Sequence, residues 1–483
     1  MATKKDTTKK TETTEPAEPA EPAEPSRYPT YCDAFEAENP NRYGPGGYHV
    51  VRIGDVLHEH YRIVTKLGYG GYTTIWLAHD SRVSRYVALK ISMAGHAEGK
   101  PEKEIEALRD LQSDQPDQSH QSDQQGQSYD GRHLLLNVLD AFHVTGPNGT
   151  HCCYTMVPAH GPVGFWLDGS LIQLPLARAL AGGLVRAVAY MHRRGYVHGD
   201  LALRNILKLY PLNDGYIHHL TVDQFYEQYG QPDTEPVLRW DEQPLASGDG
   251  GSRHVPDELV QSFFAYGNSI GQDLTLADMR IQLCDFGEAY KPRTTTRVGR
   301  DCGTPWPLRP IEAHFMPDAP LSFPADIWTL GMVLWDTVAM QRFASSDHVS
   351  EEETISQLID AFGPLPAEWQ GPESWRAFAA ARYDAHGKLR SANYFSSLDE
   401  AFDKGVQAFR ASHNVGVFSD DERAAFLDLI RRMMAYRPED RLTIEGVLQS
   451  EWMQTWALPA FAEAEAVQAK ETKEAKEAKE TST

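Results

Sequence analysis

The chain has 483 residues, with 46 Lys+Arg against 68 Asp+Glu and a formal net charge of −22. At roughly 150 residues per domain, that length leaves room for a two-lobed catalytic domain with extensions. So acidic a chain argues against direct nucleic-acid binding and suits a basic protein partner. Five cysteines (Cys32, Cys152, Cys153, Cys284 and Cys302) form no CxxC pair and no disulfide or zinc spacing. That usage suits a reducing compartment, cytoplasmic or nuclear. The polar start MATKKDTTKKTETTEP lacks the apolar stretch of a secretory signal, and no uninterrupted run of about 18 apolar residues predicts a membrane span.

Residues 1–30 include EPAEPAEPAEP, cannot bury a core, and read as a disordered tail. Strand-like alternation then appears in YRIVTKL, TTIWLAHD and YVALKIS. PEKEIEALRDL reads as a helix with Pro101 in its first turn. The polar stretch 112–131, QSDQPDQSHQSDQQGQSYDG, reads as a surface insertion. HLLLNVLDAFHV and THCCYTMVP complete a five-strand pattern. From about residue 170 the periodicity becomes helical, in LARALAGGLVRAVAYMHRRG and again in ERAAFLDLIRRMMAY (422–436). The tail 460–483 shows no apolar face and reads as disordered. The expected class is α+β: a small β-rich lobe with one main helix over 45–160, and a larger, mainly helical lobe over 161–457.

Several short motifs handle phosphate. Leu67, Gly68, Tyr69, Gly70, Gly71, Tyr72, Thr73, Thr74 and Ile75 form a Gly-rich hairpin between two strands. Glycines let a backbone approach phosphates so that amide N–H groups reach the oxygens. Lys90 in VALK follows at strand distance, where it can hold α- and β-phosphates. Glu104 shares a helix face with Leu108 and Leu111, so if Leu108 packs inward Glu104 reaches Lys90, while Glu106 points away. HGDLALRNIL (198–207) supplies Asp200 as proton acceptor and Asn205 as a metal ligand, and CDFGEA (284–289) supplies Asp285 as the other. Each motif alone has an innocent reading as a hairpin, a loop acid or a capping Asn. In this order they point to phosphoryl transfer.

Over residues 50–455 the chain resembles the eukaryotic protein kinases, and within them the SR-protein kinases. The residues that carry the likeness are YGPGGYHVVRIGDVLHEHYRIVTKLGYGGYTTIWLAHD (43–80), HVTGPNGTHCCYTMVPAHG (143–161), PIE (310–312), ADIWTLG (325–331) and RPEDRLTIEGVLQSEWM (437–453). The resemblance implies a bilobal kinase fold, ATP and Mg2+, and a spacer (210–270) between catalytic loop and DFG. It also implies a Glu312–Arg441 pair, Asp326 bracing the catalytic loop, and a monomer acting on an Arg/Ser-rich protein substrate. Some positions depart from the pattern. Thr73 stands for the third glycine, Gly199 for the arginine after His198, and Ala202 for a lysine. Pro158 removes a hinge N–H, leaving the Met156 and His160 backbones to meet adenine. Arg204 falls where tyrosine kinases, D-L-A-A-R-N, carry a compensating arginine, and is expected to offset charge on the γ-phosphoryl group. The alternatives are a pseudokinase scaffold that binds without turnover, supported by those departures, and an aminoglycoside-type phosphotransferase, which the Glu312, ADIW and Arg441 pattern opposes.

Overall fold

The computed structural model describes residues 37–481 except 97–98, 114–130, 168–170, 211–216, 241–252, 264–273, 341–349, 371–375, 377 and 381–396. The 1–30 tail, nearly all of the 112–131 insertion and parts of the spacer lie outside the described residues. The smaller lobe is built on β1 (Val56–Leu57), β2 (Tyr61–Gly70), β3 (Thr73–Asp80), β4 (Arg85–Ser92), β5 (Asp140–Gly146) and β6 (Gly149–Met156). They form a six-stranded antiparallel sheet in the order β1-β2-β3-β4-β6-β5. Seven of the eight β4 residues are buried, because both of its faces are covered. Ala88 packs with Leu108 and Leu111 of helix α1 (Lys100–Gln112), while Val87, Leu89 and Ile91 pack with Val51 and Val260. A strand covered on two sides reads as a near-continuous apolar run, which is why YVALKIS barely alternates.

One element is shorter than its sequence suggests. Only the second half of HLLLNVLDAFHV is a strand; Arg132–Leu134 is a 3-10 turn and Leu134, Leu135 and Leu136 are buried. The Gln112 side chain donates to the carbonyls of Arg132, Leu135 and Leu136 at 3.2–3.3 Å, satisfying backbone that a ladder would otherwise have to serve.

The larger lobe is helical around α2 (Leu174–Arg193). That helix is long and apolar enough to cross a membrane, yet 78% of its apolar window is buried inside the domain. A short sheet of β7 (Ala159–Pro162), β8 (Ile206–Leu209) and β9 (Ile281–Leu283) lies under the cleft. The spacer, drawn with the larger lobe from its place in the chain, instead rests on the smaller one. Its helix α3 (Val222–Tyr229) starts at a Thr221/Gln224 capping box, and Phe225 clusters with Val64, Leu77 and Tyr86. The Tyr226 hydroxyl donates to Val64 O at 2.8 Å, and the Phe263 N–H to Lys66 O at 2.7 Å.

Residues 460–481 are not the structureless tail the composition implied. Leu458–Thr481 is a helix, and Phe461 and Ala464 are 2% and 0% exposed. Gly182 of α2 makes this possible, since a Cβ there would come within 2.6 Å of Ala457 O. Glu465 on the same face meets Arg186 and His133, each at 3.1 Å. Two apolar residues and one acid at i, i+3 and i+4 make a stripe too narrow to register in so polar a window. Phe461→Ala should cost about 3 kcal/mol, the low end for a buried Phe truncated to Ala, because the helix has a solvent side. Denaturant unfolding checks this; a cost below 0.5 kcal/mol would mean that the helix does not dock.

Candidate active site

Lys90 and Glu104 come together as their faces suggested. Lys90 Nζ lies 2.9 and 3.0 Å from the two Glu104 oxygens, and the Tyr154 hydroxyl donates to Glu104 at 3.0 Å. Both charges are buried, at 7% and 5% exposure, while Glu106 faces solvent. Burial opposes the Lys90 ammonium, but Glu104, Tyr154 and Asp285 outweigh it and raise its pKa well above the ordinary lysine value. Lys90 Nζ also stands 3.5 Å from Asp285 Oδ1. That lysine holds the Asp285 carboxyl below the usual range, against burial.

Asp285 has a left-handed backbone (φ 63°), an uncommon setting for a residue other than glycine, and turns its carboxyl toward Lys90. The catalytic loop is held from beneath by Asp326, which accepts the N–H groups of His198 (2.7 Å) and Gly199 (3.0 Å) and pairs with His192 (3.0 Å). Burial works against the Asp326 carboxylate, yet the bonds from His192 and Gly199 bring its pKa below the ordinary value. Asn205 donates to the Asp200 carbonyl (2.8 Å) and to its Oδ2 (3.0 Å). Its own amide oxygen is left for a metal. Asp285 and Asn205 together present hard oxygen donors, a set that fits Mg2+ with phosphate oxygens completing the shell.

Arg204 does not stand free over the cleft. One of its terminal nitrogens lies 2.8 Å from both Asp200 oxygens. Burial pushes the Asp200 carboxyl up, while Arg204 and His198 oppose that rise.

In the Gly-rich hairpin, Gly70 pairs with Thr73, leaving Gly71 and Tyr72 as the turn. A Cβ at Gly68 would meet nothing, so that strand end opens onto free space. The sequence reading missed what steadies this hairpin. The Tyr48 hydroxyl donates to Gly70 O at 2.8 Å, and the Arg42 guanidinium sits 5.6 Å from the Tyr48 ring and 5.1 Å from the Tyr72 ring. Tyr72 in turn stacks on His96 at 4.6 Å. The only sign in the sequence was the aromatic after GG at 46–48, just ahead of the sheet. Tyr48→Phe removes one hydroxyl and should weaken Mg-ATP binding roughly 2- to 10-fold, the worth of one neutral hydrogen bond. Calorimetric titration reads this directly, and an unchanged Kd would mean that Tyr48 serves packing alone.

The hinge runs from Met156 at the end of β6 through exposed Val157 and buried Pro158 to Ala159, which pairs with Leu209. Beside it, the His160 ring lies 3.9 Å from Tyr210, and burial followed by Lys208 lowers its pKa to about 4.

Residues 273–453 match the protein kinase domain family. SRSF protein kinase 3 of Homo sapiens is 31% identical over 206 residues, 41% of this chain and 34% of the relative. Serine/threonine-protein kinase SRPK of Physarum polycephalum is 30% identical over 239 residues, 46% of each chain. Protein kinase dsk1 of Schizosaccharomyces pombe is 32% identical over 183 residues, 35% of this chain and 30% of the relative. Over these stretches the chain is similar to SR-protein kinases, and it has a bilobal α+β kinase fold. It spans between about a third and a half of the length of these relatives.

The family match begins after the spacer, so Asp285 lies inside it while Lys90 and Asp200 lie outside. For those two, the geometry above carries the argument. Two other kinase features are plain in the structure. Glu312 and Arg441 form a buried ion pair (2.9 Å), with Arg441 also bonded to three backbone carbonyls. Asp326 sits near the start of α4 (Phe323–Val338), among the core side chains of that helix. Two acidic stretches on the larger lobe, SDDE (419–422) and EEE (351–353), are only partly exposed. Glu422 is buried against Arg178 and Trp452, and Glu351 pairs with His314. Asp420, Asp421 and Glu352 remain exposed in first helical turns, where acids are favoured by the helix dipole anyway.

Proposed function

We propose that the chain is an ATP-dependent protein serine/threonine kinase that phosphorylates serines in Arg-rich protein segments. The observation that carries this is the ion-paired Lys90–Glu104 couple facing Asp285, across from the Asp200–Asn205 pair on one rigid loop. In the reaction, the substrate Oγ attacks the γ-phosphorus of ATP. A new O–P bond forms, the bond to the β–γ bridging oxygen breaks, and ADP leaves. Asp200 accepts the hydroxyl proton, and Lys90 holds the α- and β-phosphates. Mg2+ bound by Asp285 and Asn205 would supply positive charge against the phosphate oxygens.

Neither Gly199 nor Ala202 favours a pseudokinase, because Arg204 brings a cation to Asp200 and the proton acceptor is in place. On this reading the enzyme acts as a monomer in the cytoplasm or nucleus, with no direct nucleic-acid or membrane partner. The relatives' printed names, which include SRSF protein kinase, support a basic substrate, as does the net charge of −22. The test is transfer of labelled γ-phosphate to an Arg/Ser-repeat peptide, beside an acidic peptide and an Asp200→Asn control. Raised salt should weaken peptide binding more than ATP binding, since exposed charges are screened beyond about 8–10 Å. Equal labelling of the acidic peptide would overturn the substrate class, and equal activity of the control the mechanism.

A further inference from the structure

We propose that Glu288 does the work of an activation-segment phosphate, holding that segment and α1 in the working arrangement through a fixed carboxylate. The inference rests on the kinase reading and concerns the regulation of the same site.

Phosphates that order such segments do so by drawing together cations from separate elements. Glu288, three residues after Asp285, already does this. Its Oε1 receives Lys100 Nζ from the first turn of α1, and its Oε2 receives Arg297 at 2.7 Å from the short strand β10 (Arg297–Val298). All three side chains are sheltered, at 33%, 22% and 23% exposure, so solvent screens them only in part. A second pair of opposite polarity lies at the other end of the helix. Lys291 Nζ meets Asp110 Oδ2 at 2.7 Å, and Asp110 also accepts the Tyr196 hydroxyl at 2.9 Å. The segment is therefore tied to α1 at both ends. Because α1 carries Glu104, these ties also fix the partner of Lys90.

Two glycines complete the device. Gly199 has φ +76°, and a Cβ there would come 2.9 Å from Glu288 O. An arginine at 199 would thus be strained by its own backbone and would crowd the residue that makes it unnecessary. Gly303 leaves space for the carboxylate itself, since a Cβ there would lie 2.6 Å from Glu288 Cδ. Gly199 and Gly303 lie on two different segments, and both are cut to fit one acid. Glu288 is a positioning residue: it contacts cations on its neighbours, and its effect reaches the reaction through α1.

The experiment uses the full chain made in bacteria and treated with phosphatase, as wild type, Glu288→Gln, Glu288→Asp, Lys100→Met and the Glu288→Gln/Lys100→Met double variant. Wild type should keep its rate after phosphatase. Glu288→Gln should lower kcat about 10- to 100-fold, the scale of an ångström-sized misplacement of catalytic parts, and Glu288→Asp should recover part of the loss. Lys100→Met should lose a similar amount, and the double variant little more, because both remove one interaction. Hydrogen exchange should quicken over residues 100–112 in Glu288→Gln and stay unchanged over 420–433. Loss of the wild-type rate on phosphatase treatment, additive losses in the double variant, or wild-type exchange over 100–112 in Glu288→Gln would each overturn the proposal. A wild type that transfers no phosphate but shows quickened exchange in Glu288→Gln would sink the kinase reading and leave the latch standing.

Discussion

Asp285→Ala should lower phosphoryl transfer on the order of 10³-fold and remove most of the thermal stabilisation that Mg-ATP confers. The carboxyl is kept ionised by Lys90 at 3.5 Å, so at neutral pH it is a negative oxygen donor facing the cleft. Several kcal/mol of transition-state charge stabilisation is the ordinary worth of a bound divalent ion, and each 1.4 kcal/mol is about tenfold in rate. A ligand at 100 times its Kd stabilises the folded chain by about 2.7 kcal/mol, which gives the thermal shift its expected size. The variant should fold, because Lys90 keeps both bonds to Glu104 when Asp285 is gone. Thermal unfolding with and without Mg-ATP checks the prediction. Equal shifts in variant and wild type would remove Asp285 from the site.

Why some of this could be read ahead and some could not follows from where the information sits. Lys90 lies on a strand and Glu104 on the next helix, and helix periodicity alone places Glu104 with Leu108 and Leu111 on the buried face. Asp200 and Asn205 are five residues apart, so their pairing is local. Glu288 is different. Its cations lie 188 and 9 residues away in opposite directions, and nothing near CDFGEA announces them. The same holds for Tyr48, whose partner is a carbonyl 22 residues on, and for the spacer. The mixed pattern of LTVDQFYEQYG allowed a helix but could not say which lobe Phe225 would reach. The tail helix failed for another reason. Its docking needs Phe461, Ala464 and a glycine on α2, and composition averages that small contact away.

Arg204→Ala should lower kcat on the order of 10²–10³-fold with little change in KM for ATP, and should move the acid limb of the kcat profile to higher pH. The upper figure is that of an arginine that offsets charge in phosphoryl transfer, the lower that of an ångström-scale displacement of the base. The sequence suggested a cation aimed at the γ-phosphoryl group, and the structure shows it joined to both oxygens of Asp200, half-exposed at 49%. Its role therefore includes the base itself. Burial favours the protonated carboxyl at Asp200, and the Arg204 guanidinium favours the carboxylate. Removing the guanidinium takes away a positive charge that favours the carboxylate, so the pKa rises further. At a given pH fewer molecules then carry the carboxylate that accepts the substrate proton, and the acid limb shifts upward. Arg204→Lys keeps a charge but loses the planar fork, so it should hold the acid limb close to wild type while losing part of kcat. The two variants thus separate charge from geometry. Loss of kcat without loss of ATP affinity is the pattern of an interaction expressed in the transition state. An Arg204→Ala enzyme with wild-type kcat and an unmoved acid limb would show the arginine to be a surface residue that happens to touch the base.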